Sequence, residues 1–380
     1  MRTARVFRLS MAHPGDLSEL DTLIGADTIR ASEVAAIIGK TEGNGGVNDF
    51  TRGYFTQTLM ALLAKHLDRP ASRLLDEIPC VLSGGTEGVM SPHYNVFCIG
   101  ESAATTRSAH SSAKSLAIGT ALSPPVPAEQ VGRRAHVDSV ATTVRNAIDA
   151  AGIAHSEDVH FVQVKCPCVT LARATAAIAA GKTPLTTDPN KSMAYARAAG
   201  AFGVALALGE IGADAFTDAS LLSDFTIQSP RASVSSGIEV ESNEVIVLGN
   251  SRNWGGPLRI AHRPMTDALD IGAIASVLAD LGITATPQVY ANDAARIAAV
   301  LVKCEPDRRG RIRGHRHTML DDTDINAQRH IRGAVAGLVA GVIGDGRIFV
   351  SGGAEHQGPD GGGLIAVIAA ATRPIEETTT

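Results

Sequence analysis

Three apolar runs, each ending in a lysine, are spaced along the chain. They are almost continuous in valine, isoleucine and alanine, a pattern typical of strands that are buried on both faces. Three further apolar runs follow at intervals, each after a short phrase that begins with serine. The lysine-terminated runs are residues 34–40, 159–165 and 297–303, and the later runs are residues 95–99, 245–248 and 364–369.

An arginine lies between each of these lysines and the next serine phrase. It opens a stretch rich in alanine, leucine and valine, which predicts a helix. The order lysine, arginine, serine therefore occurs three times at unequal separations, which indicates a repeated unit with loop insertions rather than a solenoid of fixed period. Each unit is predicted to be strand, helix, strand, strand. The arginines are Arg52, Arg197 and Arg332, and the serine phrases, alike in a third-position glycine and a fifth-position glutamate, are residues 83–87, 235–239 and 351–355.

The repeats also predict how the chain is organised. Each unit is short for a domain with its own core, so we expect the three to pack together. The predicted fold is an α/β protein of the α+β type, with three pseudo-equivalent strand-helix-strand units around a pseudo-threefold axis and a single central active site. Stretches rich in proline, glycine and polar residues are predicted linkers at residues 124–129 and 250–257. The predicted divisions are unit A (1–110), unit B (111–252), unit C (253–375) and a tail (376–380).

Composition limits the classes of function. The 380 residues are 44% apolar with a net charge of −5, so a sizeable core is available and no polyanionic partner is implied. Five cysteines without a framework pattern argue against a secreted disulfide scaffold. We see neither a signal peptide nor an apolar stretch long enough to span a bilayer. We therefore expect a reduced, cytoplasmic protein that binds neither nucleic acid nor membrane.

Lysine, arginine and serine converging on one point would form a site for acyl transfer. A serine hydroxyl becomes a good nucleophile when a base takes its proton, and a lysine can be that base when burial and nearby cations lower its pKa. Glycines after the serine would let backbone N–H groups hold a developing oxyanion. Taken singly, a lysine at a strand end is usually a surface residue and Ser-Gly-Gly is usually a turn. The threefold recurrence favours a site, but it leaves open which of the three pairs reacts.

Five long motifs resemble the cyanuric acid hydrolase and barbiturase family of ring-opening amidohydrolases, and together they cover nearly the whole chain. The resemblance implies three pseudo-equivalent units around one site, with the reactive pair in unit B: Lys165 as base and Ser235 as nucleophile. It also implies supporting pairs with Lys40 and Lys303. The motifs are residues 39–52, 82–93, 160–167, 313–326 and 350–363. The residues implied to hold the substrate are Arg52, Ser83, Gly84, Arg197, Ser236, Arg332, Ser351 and Gly352, with Arg329 a competing choice for the third arginine.

The resemblance further implies a structural Mg²⁺ or Ca²⁺ near the third serine phrase, although no cofactor is required for the chemistry. Carboxylate, amide and carbonyl oxygens are the hard ligands that such ions prefer. The alternative is a glycine-rich turn without a metal. The implied ligands are Glu305, Ala354, Gln357, Gly358, Pro359 and Gly362.

The implied reaction is hydrolysis of one ring amide in a small cyclic imide. We expect cyanuric acid to open to carboxybiuret, which loses carbon dioxide to give biuret. The alternative is a barbiturase that converts barbituric acid to ureidomalonate. A remote alternative is a non-catalytic protein that binds a small molecule. The resemblance also implies a homotetramer.

Overall fold

The computed structural model describes residues 1–101 and 114–371, and it has a mixed α/β architecture of three main sheets with helices packed on them. The predicted boundary near residue 110 and the tail 376–380 lie outside these residues. The strands are β1 (Arg2–Ser10), β2 (Val34–Thr41), β3 (Cys80–Gly84), β4 (His93–Glu101), β5 (Ser115–Pro125), β6 (Val159–Pro167), β7 (Ala232–Gly237), β8 (Ser242–Ser251), β9 (Trp254–Gly255), β10 (Leu258–Met265), β11 (Ile297–Cys304), β12 (Arg311–Ile312), β13 (His315–Arg316), β14 (Phe349–Ser351) and β15 (Gly363–Ala370). The helices are α1 (Ser18–Gly25), α2 (Phe50–Leu67), α3 (Ala71–Leu75), α4 (Arg134–Ala151), α5 (Leu171–Ala179), α6 (Pro189–Ala207), α7 (Ile271–Asp280), α8 (Ala291–Ala294) and α9 (Ala327–Ile343).

The three main sheets share one strand order. In each, the first strand pairs antiparallel with the last, the last pairs antiparallel with the lysine strand, and the lysine strand pairs parallel with the serine strand. The first sheet also takes β9, which pairs with β1. The lysine strand and the serine strand have the same register in all three sheets, so that each lysine lies beside its own serine. The register partners are Lys40 with Ser83, Lys165 with Ser235, and Lys303 with Ser351.

Each unit begins with a strand and a helix that the sequence does not predict, and the short helices α3, α5 and α8 are also unpredicted. The extra strands are β1, β5 and β10, and the extra helices are α1, α4 and α7. Most residues of β1 are only partly buried and several are charged, so β1 does not read as a continuous apolar run. The predicted linker at 124–129 is wrong at its start, because Pro124 and Pro125 end β5. This strand lies at the edge of its sheet, where proline is tolerated.

The three arginines lie inside helices and do not open them, which corrects the sequence prediction. The helices begin earlier because polar residues cap them. The Asp49 side chain accepts from the backbone of Thr51 before α2, and Asn326 accepts from Gln328 before α9. Before α6, Asp188 caps the helix and a proline takes its first position, where no backbone N–H is needed.

The lysine strands are buried on both faces, as their apolar sequences predict. One face of the first and third main sheets contributes to a shared core, to which β2 gives Ile38 and β11 gives Leu301. The neighbouring residues Ile37 and Val302 point to the opposite faces, where they join separate clusters with the helices. The middle sheet contributes both faces, as Phe161 and Val162 of β6 show. Side chains that alternate between two buried faces leave the strand ends as the places where polar groups can meet. None of the described helices is long and apolar enough to cross a membrane.

Candidate active site

One small cavity brings together the residues predicted to react with or hold the substrate. It is small, because the space that it leaves for the centre of a water molecule is about 40 Å³. The lining includes serine-phrase residues and arginines from all three units. The predicted residues in its wall are Arg52, Ser83, Gly84, Lys165, Arg197, Ser235, Ser236, Arg332, Ser351 and Gly352, and Gly45, Leu82 and Met193 complete it.

The lysines of units A and C lie behind this wall and support it. Lys40 Nζ donates to Ser83 Oγ at 3.2 Å, and Lys303 Nζ donates to Ser351 Oγ at 3.1 Å. Lys303 also donates to the carbonyl of Val234 at 2.7 Å, which ties unit C to the serine strand of unit B. These contacts place Lys40 and Lys303 where the sequence predicts supporting pairs.

Burial makes all three lysines weaker bases than a free amine. Burial, assisted by Arg197, lowers the pKa of Lys303 to about 7. Burial and the charge of Arg332 lower the pKa of Lys40 well below its usual value. Burial also lowers the pKa of Lys165, but the carboxylate of Glu239 opposes that shift. The sequence argument that burial and cations lower these pKa values is therefore confirmed in direction.

The pair in unit B has a geometry of its own. Lys165 Nζ lies 2.6 Å from Glu239 Oε1 and donates to the carbonyl of Leu82 at 3.3 Å. Ser235 Oγ is buried and has no hydrogen-bond partner among the described residues. Lys165 and Ser235 are thus adjacent in register without the hydrogen bond that joins the other two pairs.

The fifth-position glutamates link the units in a closed cycle of ion pairs. Each arginine binds the glutamate of the next unit, and unit C returns to unit A. Burial alone would raise the pKa of Glu239, but Lys165 and Arg52 outweigh it and lower the pKa to about 2. Sequence reasoning gave these glutamates no role, although their shared position was the signal that could have identified one. The pairs are Arg52 with Glu239 (2.6 Å), Arg197 with Glu355 (2.6 Å) and Arg332 with Glu87 (2.5 Å).

The third-position glycines leave room for these ion pairs. A Cβ at Gly237 would lie 2.0 Å from Glu239 Oε2, and one at Gly353 would lie 2.6 Å from Arg197 Nε. Gly85 has a φ of +99°, and its Cβ would lie 2.3 Å from a carboxylate oxygen of Glu87. The repeated glycine is therefore explained by close approach of charged side chains. Donation by these backbone N–H groups to an oxyanion stays a prediction.

The third arginine of the site is placed by the cavity. Arg332 lines it, and its side chain is only 6% exposed. Arg329 is not among the lining residues, and its side chain is 48% exposed where it meets Glu87. The geometry therefore favours Arg332 as the residue that faces a bound ligand.

The residues predicted to hold a metal lie together beside the third serine phrase. Glu305 is buried, and burial together with the charge of Glu355 raises its pKa to about 8, against the opposing effect of Arg308, whose Nη2 donates to Glu305 Oε1 at 2.7 Å. The backbone N–H of Glu305 donates to the Gly362 carbonyl at 3.2 Å. The Gln357 amide oxygen is engaged elsewhere, because it accepts from the Val234 backbone at 2.6 Å. No cluster of three His, Cys, Asp or Glu side chains suited to a metal occurs within 1–101 and 114–371. A hard cation would thus depend on Glu305 and backbone carbonyls.

Comparison with known proteins identifies the family. The family of amidohydrolase ring-opening proteins matches residues 5–370. Cyanuric acid amidohydrolase from Azorhizobium caulinodans is 50% identical over 372 residues, which is 98% of this chain and 99% of that protein. The enzyme of the same name from Enterobacter cloacae is 44% identical over 366 residues, or 96% of this chain and 99% of its own length.

Solved structures agree with the sequence comparison. A cyanuric acid hydrolase described as an evolutionary innovation by structural concatenation has a TM-score of 0.93 at 43% identity, over 98% of this chain and all of its own. The cyanuric acid hydrolase of A. caulinodans has a TM-score of 0.89 at 49% identity, with the same coverage. The chain is therefore an enzyme that belongs to the family of ring-opening amidohydrolases.

Proposed function

We propose that this enzyme hydrolyses one ring amide of cyanuric acid to give carboxybiuret, which loses carbon dioxide to form biuret. The observation that carries the proposal is the meeting of three serine phrases and three arginines in one small cavity. Cyanuric acid has three equivalent carbonyls around a ring, so three equivalent sets of donors can each take one. The shared strand order, the shared Lys–Ser register and the cycle of ion pairs support a pseudo-threefold arrangement of the units.

Ser235 is the proposed nucleophile. Lys40 and Lys303 donate to the oxygens of Ser83 and Ser351, which leaves those hydroxyl protons free to bond substrate carbonyls. Ser235 Oγ has no such donor, so its lone pairs stay available for attack on a carbonyl carbon. The three serines would then divide the work, two holding carbonyls and one reacting.

Lys165 is the proposed base. As Ser235 Oγ bonds to the ring carbonyl carbon, the hydroxyl proton passes to the neutral amine of Lys165. The ring C–N bond then breaks, Lys165 returns the proton to the departing nitrogen, and an acyl ester stays on Ser235. Water hydrolyses that ester and frees the serine.

The choice of ring rests on the relatives. Barbituric acid carries CH₂ where cyanuric acid has one N–H, and the described contacts contain no group that separates the two. The relatives compared above are named for cyanuric acid, which favours that substrate. A non-catalytic binding protein is not supported, since those relatives are enzymes. Turnover of both rings by the purified protein, compared as kcat/KM, decides between them.

Serine variants test the assignment of roles. Ser235→Ala is expected to lower kcat by at least about 10⁴-fold, because it removes the nucleophile. Ser83→Ala and Ser351→Ala each remove one polar contact and are expected to cost about 10²-fold. Turnover of cyanuric acid by the three variants and by Lys165→Ala is the measurement, with circular dichroism to check the fold. Near-normal activity in Ser235→Ala would remove the assignment, and the variant with the greatest loss would name the reactive unit.

The structural Mg²⁺ or Ca²⁺ and the homotetramer are part of the same proposal. Glu305 and the carbonyls of the 354–362 segment would hold the ion, which would bind the Glu305 carboxylate beside Arg308 and brace the third serine phrase. Thermal unfolding with and without added Ca²⁺ or Mg²⁺ tests it, since an ion that binds only the folded state raises the Tm of the wild type and not of Glu305→Gln. Sedimentation measures the oligomeric state.

A further inference from the structure

The lysine of unit B makes a contact that the lysines of units A and C do not make. Lys40 and Lys303 point to their own serines, whereas Lys165 lies 2.6 Å from a glutamate of its own unit, Glu239. Glu239 also accepts from Arg52, at 2.6 Å through Nε and 3.3 Å through Nη2. One carboxylate therefore contacts both the lysine and the arginine.

The equivalent glutamates of the other two units form ion pairs with arginines and not with lysines. Glu355 pairs with Arg197, and Glu87 pairs with Arg332 and Arg329. Within the described residues, neither Glu355 nor Glu87 lies within 4.0 Å of the lysine of its own unit. The arginine–glutamate pair is common to the three units, while the lysine–glutamate contact singles out unit B.

We propose that Glu239 is a positioning residue that holds Lys165 and makes unit B the reactive one of three similar units. This inference rests on the proposed ring-opening function. It also answers a question that the repeat leaves open, because identical Lys–Ser pairs could not by themselves determine which serine attacks.

The charge balance explains what Glu239 contributes. Before reaction, the Glu239 carboxylate offsets the Arg52 guanidinium, and Lys165 must be neutral to accept a proton. When Ser235 Oγ forms its bond to the carbonyl carbon, the proton moves to Lys165 Nζ and a negative charge appears on the carbonyl oxygen. Glu239 stabilises the new ammonium at 2.6 Å and does not take the proton. The base is thus oriented by a third group, as in other nucleophile–base pairs.

Other groups near Lys165 limit what a pH profile can report. After Glu239, Arg52 and Glu244 are the charged groups with the largest effect on the pKa of Lys165. Burial raises the pKa of Glu244 to about 7, and its carboxylate accepts from the Cys80 backbone at 3.0 Å. The nearby thiols stay neutral, since burial raises the pKa of Cys80 to about 12 and that of Cys168 to about 11. Glu244 is therefore the neighbour to control.

The test is the pH profile of kcat/KM for cyanuric acid in Glu239→Gln. Removing the carboxylate favours the neutral amine, so the limb on which activity rises with pH is expected to move down by about one pH unit or more. The value of kcat falls as well, because Lys165 loses its anchor. Glu87→Gln and Glu355→Gln are the matched controls. Each removes the carboxylate that pairs with an arginine, as Glu239→Gln does, but neither carboxylate contacts a lysine. The rising limb of the pH profile is therefore expected to stay at the wild-type position in both. Glu244→Gln is expected to move the limb less than Glu239→Gln.

A limb that stays at the wild-type position in an active Glu239→Gln, or that moves equally in Glu87→Gln and Glu355→Gln, overturns the inference alone. Absence of turnover in the wild type overturns the proposed function and the inference with it. If Glu239→Gln does not fold, Arg52→Gln is compared with Arg52→Gln/Glu239→Gln, in which both partners of the buried pair are removed. In the double variant the rise of kcat/KM with pH is then expected at a lower pH than in Arg52→Gln. A rise at the same pH in both variants overturns the inference.

Discussion

Lys303 is fully buried, and its ammonium form would face Arg197 and Arg332 within the fold. Its pKa is about 7 in the folded protein against 10.5 for an exposed lysine. Between these values the unfolded chain binds a proton that the folded protein does not. The free energy of unfolding therefore rises with pH through this window, by up to about 1.4 kcal/mol per pH unit. The added stability disappears as the pH falls toward 7.

Lys303→Met is expected to remove this contribution. Urea unfolding at several pH values between about 7.5 and 9 measures it, as the difference in slope of unfolding free energy against pH between variant and wild type. The variant slope should be smaller by about 1.4 kcal/mol per pH unit. Lys182→Met, at an exposed position, should leave the slope unchanged. Equal slopes in wild type and Lys303→Met would show that Lys303 stays charged when folded.

For single residues, the sequence predicted which residues belong to the site better than it predicted their contacts. Recurrence alone indicated that Lys40, Lys165 and Lys303 are equivalent, and they occupy equivalent register positions. The unpartnered hydroxyl of Ser235 was not predictable, because it depends on where Lys165 Nζ points. That direction is set by Glu239, whose place relative to Arg52 depends on how units A and B pack.

Among the elements, continuous apolar strands were predictable and partly exposed ones were not. The lysine strands β2, β6 and β11 are buried on both faces. Burial on both faces requires a nearly unbroken apolar run, which is visible in the sequence. The first strand of each unit is different: β10 reads LRIAHRPM, and only three of its eight residues are buried. Such strands form because the last strand of the unit has an edge with which they can pair. This pairing depends on the tertiary structure and is not visible in the local sequence.

The packing of β5 on α4 depends on a glycine. A Cβ at Gly119 would lie 1.9 Å from the Ala147 carbonyl oxygen and 2.7 Å from the Ala151 backbone nitrogen. These are helix backbone atoms, which cannot yield unless α4 moves as a whole. Gly119→Ala is therefore expected to lower the free energy of unfolding by about 1–3 kcal/mol, the usual cost of overpacking.

Gly337→Ala is the matched substitution, in the exposed part of α9, where a Cβ would meet no atom within 4 Å. It is expected to stabilise the protein by up to about 1 kcal/mol, since alanine favours a helix interior over glycine. Urea unfolding of both variants measures the contrast. A Gly119→Ala protein as stable as wild type would mean that α4 and β5 can separate at little cost.

In the molecule as a whole, the units are joined in two ways. The shared core takes side chains from all three main sheets, and the arginine–glutamate cycle connects each unit with the next. Breaking one half of a buried ion pair costs about 3–5 kcal/mol, because the remaining charge is left without a partner. A unit that unfolded alone would expose part of the shared core and leave two such pairs broken.

We therefore expect the 380 residues to unfold in one transition, although chains of this length commonly unfold through intermediates. Trp254, the only tryptophan, is a local reporter at a junction of units. Its strand β9 pairs with β1 of unit A, and its indole donates to the Ala151 carbonyl of unit B at 2.6 Å. Its fluorescence and the far-UV circular dichroism of the whole chain should share one urea midpoint.

Glu355→Gln extends this test, because it breaks the pair between units B and C, a pair in which Trp254 takes no part. Its midpoint should fall while the fluorescence and circular dichroism curves still coincide. Asp280→Asn breaks the half-exposed pair with Arg263 and should cost less than about 1 kcal/mol. Separate midpoints in the wild type would show that the core and the cycle do not couple the units. Separation only in Glu355→Gln would assign that coupling to the ion pairs, since the substitution leaves the core side chains unchanged.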